Sequence, residues 1–473
     1  MAAAGASSAG KDGWSSKTAF VLAAIGSAVG LGNLVRFPAE AGSNGGGAFV
    51  LFYILCIVLI GLPILLAETL IGRHGQASAP QSYRKLAEQS GASKAWGGVA
   101  GLGVLSAFIV LSFYCVLGGW VLNYIWLFLS DLFTTGLSGG AFQGASFEEV
   151  EGLFPSMIGN GPLTVGMDFL FLGLTLLFVW RGVSGGIEVA ATWLMPIFFV
   201  LLVAITIYGA FGGAFSQTVS YLFTFEPEKL TGPIMLAAVG QAFFSLSLGV
   251  AGMVTYGAYV GRDVNLAGTS VIIAGADTAV ALIAGLCIFP IVFAAGLEPN
   301  GGLGLMFQTL PHAFQEMPVG SLIGLLFFIM VAFAALTSSI ALMEVPTAWV
   351  KDKFGLSRHV SAILVTLGAA VLGALSALST GSLADFHPLG FIPLFEGQGV
   401  LDTLDTLTSR VAMPITALLT AVFVGWIADK RLIDSENGLS GGLHVFWRFL
   451  VCWLCPIALF AILVAGIFPS IIG

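Results

Sequence analysis

Charge is what this chain has least of. Only 9% of its 473 residues are Asp, Glu, Lys or Arg, while 57% are hydrophobic. A soluble domain carries roughly 25% charge, so the length does not divide into soluble domains and the chain reads as a polytopic membrane protein. Cysteine is scarce too: Cys56, Cys115, Cys287, Cys452 and Cys455 all lie inside apolar segments. No loop pair suggests a disulfide, and no spacing suits a metal centre. The five histidines are scattered through loops and helix ends, which leaves zinc and nucleophilic chemistry without support. Neither an enzyme, an organic cofactor nor a nucleic-acid partner is expected, and the net charge of −8 says nothing of partners until it is sorted by membrane side. The first residues, MAAAGASSAGKDGW, have no apolar run and read as a cytoplasmic tail (1–13), not a signal peptide.

What is present in quantity is long apolar runs. A span needs ~20 apolar residues, and on that rule eleven segments are expected. They lie at about 17–40, 46–72, 96–130, 166–181, 187–210, 232–259, 265–296, 320–350, 359–379, 399–428 and 446–470. They are numbered one to eleven below. With the N-terminus inside, fourteen of the seventeen Lys and Arg residues fall on the cytoplasmic side, leaving Arg36, Lys229 and Arg410 outside. An odd count places the C-terminus outside. Between segments, the acidic outer stretch 131–165 and the semi-apolar LGLMFQTLPHAFQEMP (303–318) read either as helical caps over an entrance or as plain surface loops.

Segment one is anomalous. Between Gly26 and Gly47 it carries Gly30, Gly32, Asn33, Arg36 and Pro38. Gly and Pro weaken a helix, and a charge at membrane depth costs at least ~2.5 kcal/mol, so such residues face protein or water. The stretch reads as a helix broken so that its freed backbone lines a polar site. A second break is expected in segment six at GQAFFSLSLGVAG (240–252), which holds Gln241, Ser245, Ser247 and Gly249. Taken alone, that stretch also fits a small-residue packing face. Irregular segments at matching positions in two halves point to an inverted-repeat transporter with a midplane site.

Further candidates sit on other segments. On segment eight, Ala334, Thr337, Ser338 and Leu342 share a helix face. Their oxygens suit a small hard cation, although hydroxyls also bond back to their own helix. Segment three offers Val110 and Tyr114, one turn apart; a buried phenol takes either an anionic group or an ordinary interhelical bond. Asp277 on segment seven is an isolated carboxylate with no obvious basic neighbour, open to a proton-relay or a cation-ligand role. Glu68 and Glu344 read as hydrogen-bonded to broken-helix backbone and not as ligands.

AVGLGNLVRFP, NGGGAF, GQAFFSLSLG and ALTSSIALME together resemble the neurotransmitter:sodium symporter family, from Trp14 to about residue 428. The resemblance implies an all-α polytopic fold of the LeuT type, a 5+5 inverted repeat with segments one and six broken. Its repeats would be 14–210 and 211–428, with 429–473 holding segment eleven. The function implied is sodium-coupled import of a neutral, hydrophobic L-amino acid by alternating access across the cell membrane. Proton coupling on the same fold and a non-transporting sensor are the rival readings.

The resemblance also implies residue roles. One sodium site would use the Ala28 carbonyl, Asn33, Ser245, Asp277 and the substrate carboxylate. A second would use carbonyls of Gly26, Val29 and Ala334 with the hydroxyls of Thr337 and Ser338. The substrate carboxylate would rest on the Gly30, Leu31 and Gly32 amides and on Tyr114, and its ammonium on carbonyls near Ala28, Phe244 and Ser247. Its side chain would meet Val110, Phe244, Val250, Ser338 and Leu342. Arg36 and Asp405 would gate the outside above Tyr114 and Phe244; Lys11, Trp14, Tyr259 and Asp352 would gate the inside. Gly186 and Pro196 match a helix-unwinding pattern in segment five that would open a water path to the second sodium.

Three departures from the family pattern stand out. The family's chloride cage is recognisable in Tyr53, Gln241 and Ser245, but Ala281 stands where segment seven should complete it. Asp277, one turn earlier, brings a fixed negative charge instead, and chloride independence is expected. Val250 enlarges a pocket position that is often aromatic, and the absence of a twelfth span leaves the oligomer open.

Overall fold

A computed structural model describes residues 13–137, 139–298 and 302–468, and among them there is no β-strand. Among the described residues, nine helices are long and apolar enough to cross a membrane: Gly47–Gly75, Lys94–Thr135, Gly161–Trp180, Val183–Ala210, Leu266–Ala294, Gly320–Phe354, Arg358–Leu378, Val400–Ile427 and Gly441–Ile467. Segment one is a bent pair, Lys17–Ala28 and Gly32–Ser43, with a 48° change of direction. Segment six consists of two short helices, Gly232–Ser245 and Gly252–Gly257, each too short to cross a membrane alone.

The first break follows from local chemistry. Ser16 caps the helix start by accepting the Ala19 N–H. The helix runs through small and apolar residues to Ala28, where Val29 turns extended at ψ 108°. Gly30 is required there by close approach: a Cβ would lie 2.5 Å from Ser338 Oγ and 2.7 Å from Tyr114 Oη. The second break holds three positive-φ residues, Ser247, Gly249 and Ala251. A non-glycine residue held there stores ~1–3 kcal/mol of strain. What holds it is Glu68, buried on segment two, whose Oε1 accepts the Gly249 N–H at 2.8 Å. Gly249 also abuts the Met413 carbonyl so closely that any Cβ would collide with it.

Around the breaks, segment three packs along segment eight and against segments four and nine. Segment one lies against segments five, seven and eight, and the second piece of segment six lies against segment two. The stretch 303–318 is helical, at Leu305–Thr309 and Leu310–Gln315. Its Phe307 is buried, stacks on Phe154, and accepts the Tyr124 hydroxyl at its carbonyl. The outer stretch 131–165 is likewise anchored: Asp131 accepts from Ser321 Oγ and the Phe142 amide.

Glu344 corrects an expectation. It is fully buried but holds side chains, not broken-helix backbone: the Tyr259 hydroxyl donates to it at 2.7 Å and Arg358 forms an ion pair with it. A freed backbone amide is satisfied by whichever carboxylate the packing brings within reach, and here only Glu68 is.

Glu68→Ala is expected to strand the Gly249 amide and lower stability by about 1–3 kcal/mol. The check is thermal unfolding of the detergent-solubilised protein, with Glu68→Gln losing less. Outside the spans, the His74 ring, 3.6 Å away, and the Arg73 guanidinium, 2.7 Å away, hold the Glu436 carboxyl below its usual value of 4.5. A lowered carboxyl pKa contributes stability that is complete above about 4.5 and is lost as pH falls through the folded value. Glu436→Gln is expected to flatten this acid limb of a stability–pH profile.

Candidate functional site

The two breaks meet. Asn33, just past the first break, is fully buried, and its Nδ2 donates to Asp277 Oδ1 (2.8 Å), to the Asp277 carbonyl (3.1 Å) and to Ser245 Oγ (3.1 Å). Ser245, at the end of Gly232–Ser245, donates to Asp277 Oδ2 at 2.7 Å. Asn33 Oδ1 in turn accepts the Gly30 N–H, so the same side chain pins the break it borders. Asp277 therefore sits at zero exposure with neutral donors at both oxygens. A carboxylate at this depth calls for a cation. Ala28 is buried beside this cluster and lines the adjoining cavity.

A second oxygen cluster lies on the other side of the break. Ser338 Oγ points at three carbonyls of segment one: Gly26 at 3.2 Å, Ser27 at 3.4 Å and Val29 at 3.1 Å. Thr337 Oγ1 bonds back to the carbonyls of Ala334 and Phe333 on its own helix. Thr337 thus makes the back-bond to its own helix, while Ser338 reaches across to segment one. Both clusters are built from hard oxygens, the donor type that alkali and alkaline-earth cations take. Among the described residues no group of three or more His, Cys, Asp or Glu is placed to hold a metal ion.

Between the clusters is a buried cavity with about 580 Å³ of empty space, lined in part by Ala28, Gly30, Gly32, Val110, Tyr114 and Phe244. Ser245, Ser247, Val250, Ser338 and Leu342 line it as well. The Tyr114 hydroxyl accepts the Leu31 N–H at 3.2 Å, so a phenol and freed amides share one end of the cavity. Leu31 itself faces the next cavity outward. The lining also holds Ser27, Gly252, Ala341, Val345 and Met413, none of them expected from the sequence. Ala341 and Val345 continue the Ser338 stripe by one and two turns and were there to be found. Met413 is an unremarkable apolar residue on segment ten, and nothing in the sequence flags it.

Tyr114 and Phe244 also floor an outer vestibule with about 1170 Å³ of empty space, which Arg36, Glu40, Asp402 and Asp405 line. Arg36 and Asp405 are not ion-paired with each other here. Arg36 stands 3.8 Å from Glu40 and lies over the Phe244 ring at 4.4 Å. Four residues separate Arg36 from Glu40 on one helix, so that pairing needs no movement between segments, whereas Asp405 is on segment ten.

At the opposite end of the site lie the residues expected to form the inner gate. Trp14 packs edge-on to Tyr256 and Tyr259, and its Nε1 donates to the Tyr256 carbonyl. Asp352 accepts the Ser78 amide. Lys11 lies outside the described residues. Gly186 sits in a π-helical turn, Val183–Ile187, and the helix after it runs unbroken through Pro196. In the expected chloride position, Tyr53 donates to Ser245 at 3.4 Å and Gln241 donates to the Gly32 carbonyl, while Ala281 is fully buried.

Comparison with known proteins matches nearly the whole chain. The model of the Sodium:neurotransmitter symporter family matches residues 11–138 and 160–470. A sodium-dependent transporter of Bacillus subtilis (strain 168), YhdH, is 37% identical over 94% of this chain and 95% of its own length. A mouse sodium- and chloride-dependent neutral and basic amino acid transporter, B(0+), is 26% identical over 95% of this chain and 78% of its own. The crystal structure of MhsT in complex with L-phenylalanine superposes with a TM-score of 0.86 at 38% identity, covering 97% of this chain and all of that one.

Asn33→Ala removes three donated hydrogen bonds and the acceptor of the Gly30 amide at once. It is expected to lower stability by about 1–3 kcal/mol, the scale of stranded buried polar groups. Thermal unfolding of the purified variant beside the parent checks it.

Proposed function

The chain belongs to the sodium:neurotransmitter symporter family, and on that premise we propose that it imports a neutral, hydrophobic L-amino acid by sodium-driven alternating access. The observation that carries this reading is the convergence of both helix breaks on one buried cavity flanked by two oxygen clusters. Sodium is cargo, held at two sites. The first is formed by the Ala28 carbonyl, Asn33, Ser245, Asp277 and the carboxylate of the substrate. The second is formed by Gly26, Val29, Ala334, Thr337 and Ser338.

The substrate carboxylate rests on the amides of Gly30, Leu31 and Gly32 and on Tyr114, where the N-terminal end of a half-helix favours an anion. Its ammonium meets carbonyls near Ala28, Phe244 and Ser247. The side chain fills the apolar end among Val110, Phe244, Val250, Ser338 and Leu342, with Ala341, Val345 and Met413 behind them. Because the substrate carboxylate completes the first ion site, each partner's affinity includes the presence of the other, and that reciprocity is the coupling. The membrane potential adds ~2.3 kcal/mol per inward positive charge per 100 mV.

Transport cycles between two closures. Arg36 swings from Glu40 to Asp405 to seal the vestibule over Tyr114 and Phe244. Release inward requires Trp14, with Lys11, Tyr259 and Asp352, to let go. The two repeats, 14–210 and 211–428, supply one broken helix each. Asp277 carries the negative charge that chloride provides elsewhere in the family, so chloride is not required.

Reconstituted protein is expected to accumulate a hydrophobic amino acid under an inward sodium gradient and not under a pH gradient of equal size. Accumulation with the pH gradient alone would replace sodium by protons in this scheme. Gluconate in place of chloride is expected to leave sodium-driven uptake unchanged; loss of uptake would return the charge role to chloride. No stabilisation by any of the twenty amino acids, with or without sodium, would overturn the transport reading itself.

A further inference from the structure

Six carboxylates are buried among the described residues: Glu68, Asp131, Asp168, Asp277, Glu344 and Glu436. Five of them have a donor. Glu68 takes the Gly249 amide, Asp131 the Ser321 hydroxyl, Asp277 the Asn33 side chain, Glu344 the Tyr259 hydroxyl and Glu436 the Arg73 guanidinium. Asp168, on segment four, is the exception: it has zero exposure, and neither Oδ1 nor Oδ2 has a hydrogen-bond partner. An ionised carboxylate without donor or cation is among the least tolerable groups in a membrane interior.

The helices around Asp168 leave no room for a hydrated ion. Gly118 and Gly119 let segment three touch segment four: a Cβ on Gly119 would be 2.8 Å from the Asp168 amide nitrogen, and one on Gly118 would be 2.6 Å from the Phe171 ring. From segment nine, a Cβ on Gly373 would be 2.5 Å from Asp168 Oδ2 and 3.1 Å from the Ser112 carbonyl oxygen. Two acceptor oxygens, one on segment four and one on segment three, therefore border the same point. The Ser112 hydroxyl does not bridge them, since it donates to the Ile109 carbonyl at 2.6 Å.

No positive charge comes from the neighbouring helices. Cys115, fully buried on segment three, is in electrostatic contact with Asp168, and a thiol brings no cation. Elsewhere on that helix Tyr114 engages Leu31, Tyr124 engages Phe307, and Asp131 takes Ser321 and Phe142. Segments eight and nine, which also pack on segment four, have no charged residue between 320 and 343 or between 360 and 378. Arg181, Arg358 and His359 stand at the other ends of segments four and nine.

A proton is the cation that needs no volume, and it turns a carboxylate into a neutral group with a donor of its own. We propose that Asp168 is a proton-binding site: a neutral carboxylic acid whose O–H is given to the Ser112 carbonyl, so that a resident proton closes segments three, four and nine on one another. Asp168 does not line the central cavity and belongs to neither oxygen cluster, so the proposal does not rest on the transport reading. Loss of the proton leaves a charge facing a second acceptor in a place without water, and the packing loosens as pH rises.

The test reads the purified full chain by infrared spectroscopy and by thermal unfolding across pH. At neutral pH the parent is expected to show the carbonyl stretch of a protonated carboxyl that Asp168→Asn loses, and aspartate labelled with heavy carbon is expected to shift it. Asp277→Asn is expected to keep the labelled band, which gives a reading even where Asp168→Asn does not fold. A parent without any such aspartate band overturns the proposal. So does a band that survives Asp168→Asn undiminished or vanishes wholly with Asp277→Asn. In the unfolding series, asparagine keeps the shape of the neutral acid without its titrating proton. Unfolding lets Asp168 ionise, so the parent's unfolding temperature is expected to fall relative to that of Asp168→Asn as pH is raised. A difference that stays constant with pH, or that turns in the parent's favour, overturns the bound proton.

Discussion

Backbone groups released from a helix in the membrane interior have no water to turn to, so each must find its partner inside the protein. Two such releases, at 29–31 and at 246–251, set the arrangement of nearly everything around them. The Gly30 amide takes Asn33 Oδ1, the Leu31 amide takes the Tyr114 hydroxyl, and the Gly32 carbonyl takes Gln241. The Val29 and Gly26 carbonyls take Ser338, and the Gly249 amide takes Glu68. These partners come from segments one, two, three, six and eight. Two broken helices thereby fix the contacts of the others, and a substitution on any of them acts on the same small volume.

The electrostatics follow from that enclosure. Asp277, on segment seven, takes hydrogen bonds from Asn33 and Ser245 beside the two breaks, and only neutral groups donate to it. A carboxylate enclosed this way favours a cation beside it, and a second, uncharged oxygen cluster lies a few residues away along segment one. The cavity between them ends in amides and a phenol on one side and in apolar side chains on the other. That polarity suits a small zwitterion whose charged end meets the ions and whose side chain does not.

The vestibule and the inner side are in different states. Arg36 is turned along its own helix to Glu40, leaving the outer cavity continuous down to Tyr114 and Phe244. Trp14 is wedged between Tyr256 and Tyr259, and the buried Glu344 ties Tyr259 to Arg358 beneath it. The aromatic packing of Trp14 is backed by a buried ion pair, whereas Arg36 rests partly exposed on a helix surface.

Several of these features were legible in the residues alone. Gly, Asn and Arg inside an apolar run announce a break because lipid tolerates none of them without a protein partner, and the hydroxyl pair on segment eight announces oxygen chemistry at helical spacing. Periodicity and polarity are local properties, so a sequence determines them, and with them the broken segments, the family and the polar half of the site. It does not determine which buried carboxylate reaches which freed amide: Glu68 and Glu344 look alike in their segments, yet one holds backbone and the other holds Tyr259 and Arg358. Nor does it mark Met413, whose apolar side chain carries no signal until helices distant in the chain are packed together. Those contacts depend on the relative placement of whole segments, which many weak packing terms decide jointly, and that is what only the tertiary structure supplies.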